Sequence, residues 1–91
     1  MRDRTHSIRF TKTSKKHFDS LKPKKTQDEV ASVLEELARD PLIGKPLQGP
    51  LKGLRSKRIG KIRIIYKQIK SELVIIVISI EHRKKVYRRK G

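Results

Sequence analysis

The sequence predicts one α+β domain in the order β-α-α-β-β-β: a mostly antiparallel four-stranded sheet with two N-terminal helices on one face. Three observations predict it. Apolar residues alternate near the start, in "SIRFT". They recur at helical spacing from Val30 to Ala38. They alternate again in "IRIIYKQI" and then run almost unbroken through "LVIIVISIE". The 91 residues leave room for a single domain, 1–91, with a modest core.

In "SIRFT", Ile8 and Phe10 fall on one side and Arg9 and Thr11 on the other, as in a short half-buried strand. Thr13 or Ser14 suits the N-cap of a short helix, "SKKHFDSL", with Phe18 and Leu21 on one face, and Pro23 breaks it. Thr26 then reads as the N-cap of a second helix, with Glu29 completing a capping box and Asp28 and Glu29 in the first turn. Val30, Val33, Leu34, Leu37 and Ala38 make its buried stripe, and Pro41 stops it. "DPLIGKPLQGPLKG" reads as a long loop pinned to the core by Leu42, Ile43, Leu47 and Leu51. "LRSKRI" and "IRIIYKQI" are strands joined by a turn at Gly60. "LVIIVISIE" is apolar on both faces, so it belongs inside the sheet.

Charge narrows the function. Lysine and arginine number 25 against 9 acids, a formal +16. Residues 52–91 hold 14 of those cations and only 2 acids. Such a surface attracts polyanions: RNA, DNA, an acidic protein or an anionic membrane. No run approaches the roughly 18 apolar residues of a membrane span. The N-terminus is charged and lacks the apolar run of a secretory signal. With no cysteine there is no disulfide framework or thiolate metal site, and a cytoplasmic location is expected.

The cations concentrate in "RSKRIGKIRIIY", which carries five of them and no carboxylate. Alternation puts Ile62, Ile64 and Tyr66 on one face, toward the helices, and Arg63, Ile65 and Lys67 on the other. The preceding strand should bring Arg58 to that open face, together with either Ser56 or its neighbours Arg55 and Lys57. The segment after the last strand supplies Arg83, with Tyr87 four residues on. A cluster of Arg58, Arg63, Arg83 and Tyr87 is therefore geometrically possible. Such a cluster suits RNA cleavage by 2′-hydroxyl attack, because arginine stays charged and grips phosphate with a planar fork. Further cations at Lys61, Lys84, Lys85, Arg88 and Arg89 are candidate RNA contacts. His6 and His17 have no partner in sequence and are read as surface residues. Glu81 stands alone beside His82, and no acid pair, metal cluster, cofactor loop or serine–histidine–acid arrangement is expected.

The order of elements, "FTKTSKKHFDSL", "DPLIGKPLQGPLKGL", "RIGKIRIIY" and "HRKKVY" together resemble the RelE/ParE superfamily of toxins from prokaryotic toxin–antitoxin modules, over nearly the whole chain. The resemblance implies a microbial-RNase-like fold. It implies either of two actions: metal-independent mRNA cleavage at the ribosome, as in the RelE branch, or poisoning of DNA gyrase, as in the ParE branch. By resemblance, Arg63 and Arg83 match arginines that act on the phosphate, and Arg58 a basic residue on the neighbouring strand. Tyr87 matches a C-terminal tyrosine of proton transfer or base stacking. Ser56 falls where many nuclease members have Lys or Arg, leaving Arg55 or Lys57 as substitutes. The expected partners are a cognate acidic antitoxin, the ribosome and mRNA or rRNA. No cofactor and no membrane are expected, and the free toxin should be monomeric. A basic nucleic-acid-binding module without catalysis is the third reading.

Overall fold

The computed structural model describes residues 5–82. Among them the chain forms β1 (Ser7–Phe10), α1 (Lys12–Asp19), α2 (Lys24–Arg39), β2 (Lys45–Pro46), β3 (Arg55–Ile59), β4 (Ile62–Ile69) and β5 (Val74–His82), with single 3-10 turns between several of them. The strands make one mixed sheet ordered β1-β5-β4-β3-β2. Only β1 pairs in parallel, with β5. The sheet therefore has five strands where the sequence predicts four. The addition is β2, two residues drawn from the proline-rich loop onto the edge of β3. Pro46 is tolerated there because an edge strand leaves some amides unpaired anyway.

One core lies between the helices and the sheet. Val30, Leu34 and Leu37 of α2 pack with Ile62, Ile64, Tyr66, Ile75, Val77 and Ile80. Ile8, Phe10, Phe18 and Leu21 close its margin, with the Phe10 and Phe18 rings 5.5 Å apart. The predicted stripe on α2 is thus the buried one. Each fully buried aliphatic side chain contributes roughly 1.5–3 kcal/mol, which offsets the mutual repulsion of the cations.

Both helix starts differ from expectation. The N-cap of α1 is Thr11, not Thr13 or Ser14. Its hydroxyl accepts from Ser14 N, and Ser14 Oγ accepts from Thr11 N, so Ser14 takes the place usually held by Glu in a capping box. Helix α2 begins a turn early, at Lys24, with Pro23 as its N-cap. The Pro23 carbonyl accepts from Thr26 N at 2.8 Å, so Thr26 lies inside the first turn. Asp28 and Glu29 are consequently beyond it. Gln27 donates its side-chain amide to Phe18 O at 2.9 Å and ties the two helices together.

The proline-rich loop is held differently from the expected apolar pinning. Leu42, Ile43 and Leu51 are exposed. Pro41 and Gly44 are buried instead. The anchor is the hydroxyl of fully buried Tyr66, which donates to Pro41 O at 2.5 Å and accepts from Gly44 N at 3.1 Å. Burial raises the Tyr66 pKa above the ordinary tyrosine value. The Gly44 N–H and the positive charge of Arg55 oppose that shift, and Asp40 reinforces it.

Candidate functional site

Strand register decides which side chains share a face. In β3 and β4, Arg58 lies directly opposite Arg63, and Ser56 opposite Ile65. Lys57 pairs with Ile64 and Arg55 with Tyr66, so both belong to the helix side. Of the alternatives for the open face beside Arg58, the register therefore selects Ser56. Arg55 and Lys57 cannot replace a cation there, since neighbouring residues on a strand point to opposite faces. Arg55 instead sits against Tyr66, with its Nε buried and without a hydrogen-bond partner among the described residues.

A β-bulge between β4 and β5 controls the rest. Ile65 pairs with Ser79 while Tyr66 pairs with Val77, which leaves Ile78 as the extra residue. Before the bulge, Ile75 and Val77 face the core. After it, Ile80 does. The bulge thus shifts the alternation of β5 by one residue and turns Ser79 and Glu81 onto the open face. Glu81 comes to lie opposite Arg63.

The open face carries Arg58, Arg63, Glu81, Ser79 and Ser56 around the buried side chain of Ile65. Arg58 is exposed. Arg63 donates from Nη2 to Glu81 Oε1 at 3.3 Å, and Ser79 Oγ donates to Glu81 Oε2 at 3.2 Å. The Arg63 and Glu81 side chains keep 40% and 31% of their surface in solvent, so the pair is reachable by a ligand. Two arginines directly opposite repel each other. One carboxylate beside them offsets part of that cost. Lys61 is exposed in the turn at the end of this hairpin, where Gly60 adopts φ 57°. Arg83, Lys84, Lys85, Tyr87, Arg88 and Arg89 lie outside the described residues.

The histidines overturn two expectations. His6 is buried, its amide donating to Ala38 O at 2.8 Å and its Nε2 lying 3.4 Å from Gln68 Nε2. His17 is half-buried, and its Nδ1 accepts from Ile80 N at 3.1 Å. That contact ties α1 to β5. His17 borders a groove of about 860 Å³ between the end of α1, the start of α2 and the β3–β4 turn, lined also by Leu21, Lys61, Ile80 and His82. Replacing His17 by alanine leaves the amide just past the bulge without its acceptor. We expect a loss of about 1–3 kcal/mol, read as a lower urea midpoint at unchanged slope. An unchanged midpoint would show that the contact is dispensable.

Comparison with known proteins gives the class. The family described as ParE toxin of type II toxin–antitoxin system, parDE, matches residues 8–87. Toxin RelG of Mycobacterium tuberculosis is 32% identical over 85 residues, covering 92% of this chain and 98% of RelG. Among solved structures, the RelBE2 toxin–antitoxin complex of Mycobacterium tuberculosis superimposes with a TM-score of 0.80 at 30% identity, over 87% of this chain and 92% of that one. The isolated RelE toxin of E. coli gives 0.74 at 22% identity, over 90% of each chain, and so shares the fold. The chain belongs to the RelE/ParE family and is a toxin of a type II toxin–antitoxin module.

Proposed function

We propose that this toxin is a metal-independent endoribonuclease that cuts mRNA on the ribosome and so stops translation. The observation that carries the reading is the placement of Arg58 directly opposite Arg63 on an accessible face. Their two forks can bracket one phosphate. In-line attack by a 2′-hydroxyl then puts extra negative charge on phosphorus where fixed positive charge already stands. Arg83 and Tyr87, which follow β5, complete the proposed set, with Arg83 on the phosphate and Tyr87 in proton transfer or base stacking. Lys61 and the tail cations supply phosphate contacts to mRNA and rRNA, which makes binding strongly salt-dependent. The partner that silences the toxin is a cognate antitoxin with an acidic segment. The +16 charge supports this, as do the solved complexes of RelE-type toxins with their antitoxins. The free toxin is a monomer acting in the cytoplasm.

A second reading has support in two observations. The open face carries neutral Ser56, and Glu81 balances part of the charge of Arg63. A toxin of that kind would act by binding gyrase, as the ParE branch does. The experiment adds purified toxin to a translating extract, maps mRNA ends by primer extension, and assays gyrase supercoiling in parallel. Cuts within codons held at the ribosomal A site, reduced at least tenfold in Arg83→Ala, are the expected result. Intact mRNA with stalled gyrase would overturn the nuclease reading, and salt-sensitive RNA binding without cleavage would leave only the non-catalytic module.

A further inference from the structure

The geometry points to Glu81 as the general base that takes the proton from the attacking 2′-hydroxyl, an assignment that rests on the nuclease reading above. Glu81 is the only carboxylate carried by β3, β4 or β5. The bulge at Ile78 places it on the open face beside Arg63. A carboxylate in a cationic face would serve no catalytic purpose if both partners were consumed by their ion pair, so the free valences matter. Arg63 has five N–H donors and gives one, from Nη2, to Glu81. Its remaining edge is available to a phosphate. Glu81 has about four lone-pair directions and accepts one bond from Arg63 and one from Ser79. It retains acceptor capacity for a hydroxyl proton.

The two bonds also fix the carboxylate. Held from both oxygens, Glu81 sits within one side chain's reach of the spot where Arg63 would grip phosphorus. The 2′-hydroxyl of the preceding ribose lies next to that phosphorus in any in-line pose, so the base and the charge stabiliser stand at adjoining atoms. In the step, the 2′ O–H bond breaks and its proton goes to Glu81. The 2′ oxygen forms a bond to phosphorus as the bond from phosphorus to the 5′ oxygen breaks. The products are a 2′,3′-cyclic phosphate and a 5′ alkoxide that takes a proton from water. Glu81 returns its proton to solvent, and no oxidant or reductant is needed. Arg63 serves twice, stabilising the phosphorane and holding Glu81 in orientation until attack.

The test measures single-turnover cleavage of mRNA on programmed ribosomes from pH 4.5 to 8. Wild type should slow toward acid as the carboxylate protonates. Glu81→Gln should be slower by about 10²–10⁴-fold at neutral pH and lose that acid limb, while melting close to wild type because the pair is half-exposed. Glu81→Asp keeps a carboxylate on a shorter arm, so it should be slowed less and keep the limb. If wild type cuts and Glu81→Gln cuts at the same rate or with the same acid limb, Glu81 is not the base and the nuclease reading stands without it. An Asp variant without the limb would exclude Glu81 equally. If wild type leaves mRNA intact, both readings fall together.

Discussion

Alanine at Gly44, a buried position in the proline-rich loop, is expected to destabilise the fold by about 3–5 kcal/mol. The backbone there is ordinary, with φ −81°, so strain is not the reason. The reason is space. A Cβ on Gly44 would overlap the Tyr66 hydroxyl, lie 2.8 Å from Ser56 O and lie 2.9 Å from Tyr66 Cε1. Neither neighbour is free to move. Tyr66 is fully buried in the core, and Ser56 O belongs to a strand between two others. Relief requires the loop to lift, which breaks both hydrogen bonds of the Tyr66 hydroxyl and leaves a buried polar group unsatisfied. For a domain of this size, thermal melting should drop by roughly 15–30 °C. Tyr66→Phe alone should cost about 1–2 kcal/mol. In that background Gly44→Ala should cost less than in wild type, because the worst overlap has gone, and the double-mutant cycle measures the difference. A Gly44→Ala melt within ~3 °C of wild type would mean that the loop is not seated on Tyr66.

Alanine at Arg63 should separate stability from activity. Its ion pair with Glu81 is half in solvent, so its loss costs no more than about 1 kcal/mol of stability. Under the nuclease reading the same change removes a donor aimed at a charged transition state, a loss of about 10²–10³ in the cleavage rate. Lysine should restore little, because a point charge cannot hold Glu81 and a phosphate at once with a planar fork. Single-turnover cleavage and a thermal melt on the same preparations check both halves. Full activity in Arg63→Ala would remove the phosphate role from this arginine.

Much of the fold can be read in the residues, and the failures have local causes. The α2 stripe and the β4 strand come through because burial repeats at a fixed period in each. The second helix start was obscured because Thr26 and Glu29 match a capping box, yet the Pro23 carbonyl is already in place to accept from Thr26 N. Strand β2 is too short to show any period. The loop misled because exposed Leu42 and Leu51 carry the apolar signal while the anchor is a tyrosine twenty-odd residues away. The shared face of Arg58 and Arg63 was legible, since they stand one pair back from a two-residue turn and the hairpin sets them opposite each other. Glu81 was not. Counting by twos from Ile75 and Val77 puts it in the core, and only the extra residue at Ile78 turns it outward. A run apolar on both faces conceals such a bulge. The misplaced alternation had one trace, a charged residue at a position that strict counting would bury.

The parallel seam between β1 and β5 has a consequence for biosynthesis. Ser7 finds its partner in Val74, so β1 must wait for β5, more than sixty residues later, before it can dock. Ile8 and Phe10 have nowhere to settle in the meantime, and β4 emerges with one flank bare. Contacts of such long sequence separation form late and slowly. A nascent chain halted before β5 therefore cannot complete its sheet, and this domain reaches its folded form only after β5 has emerged.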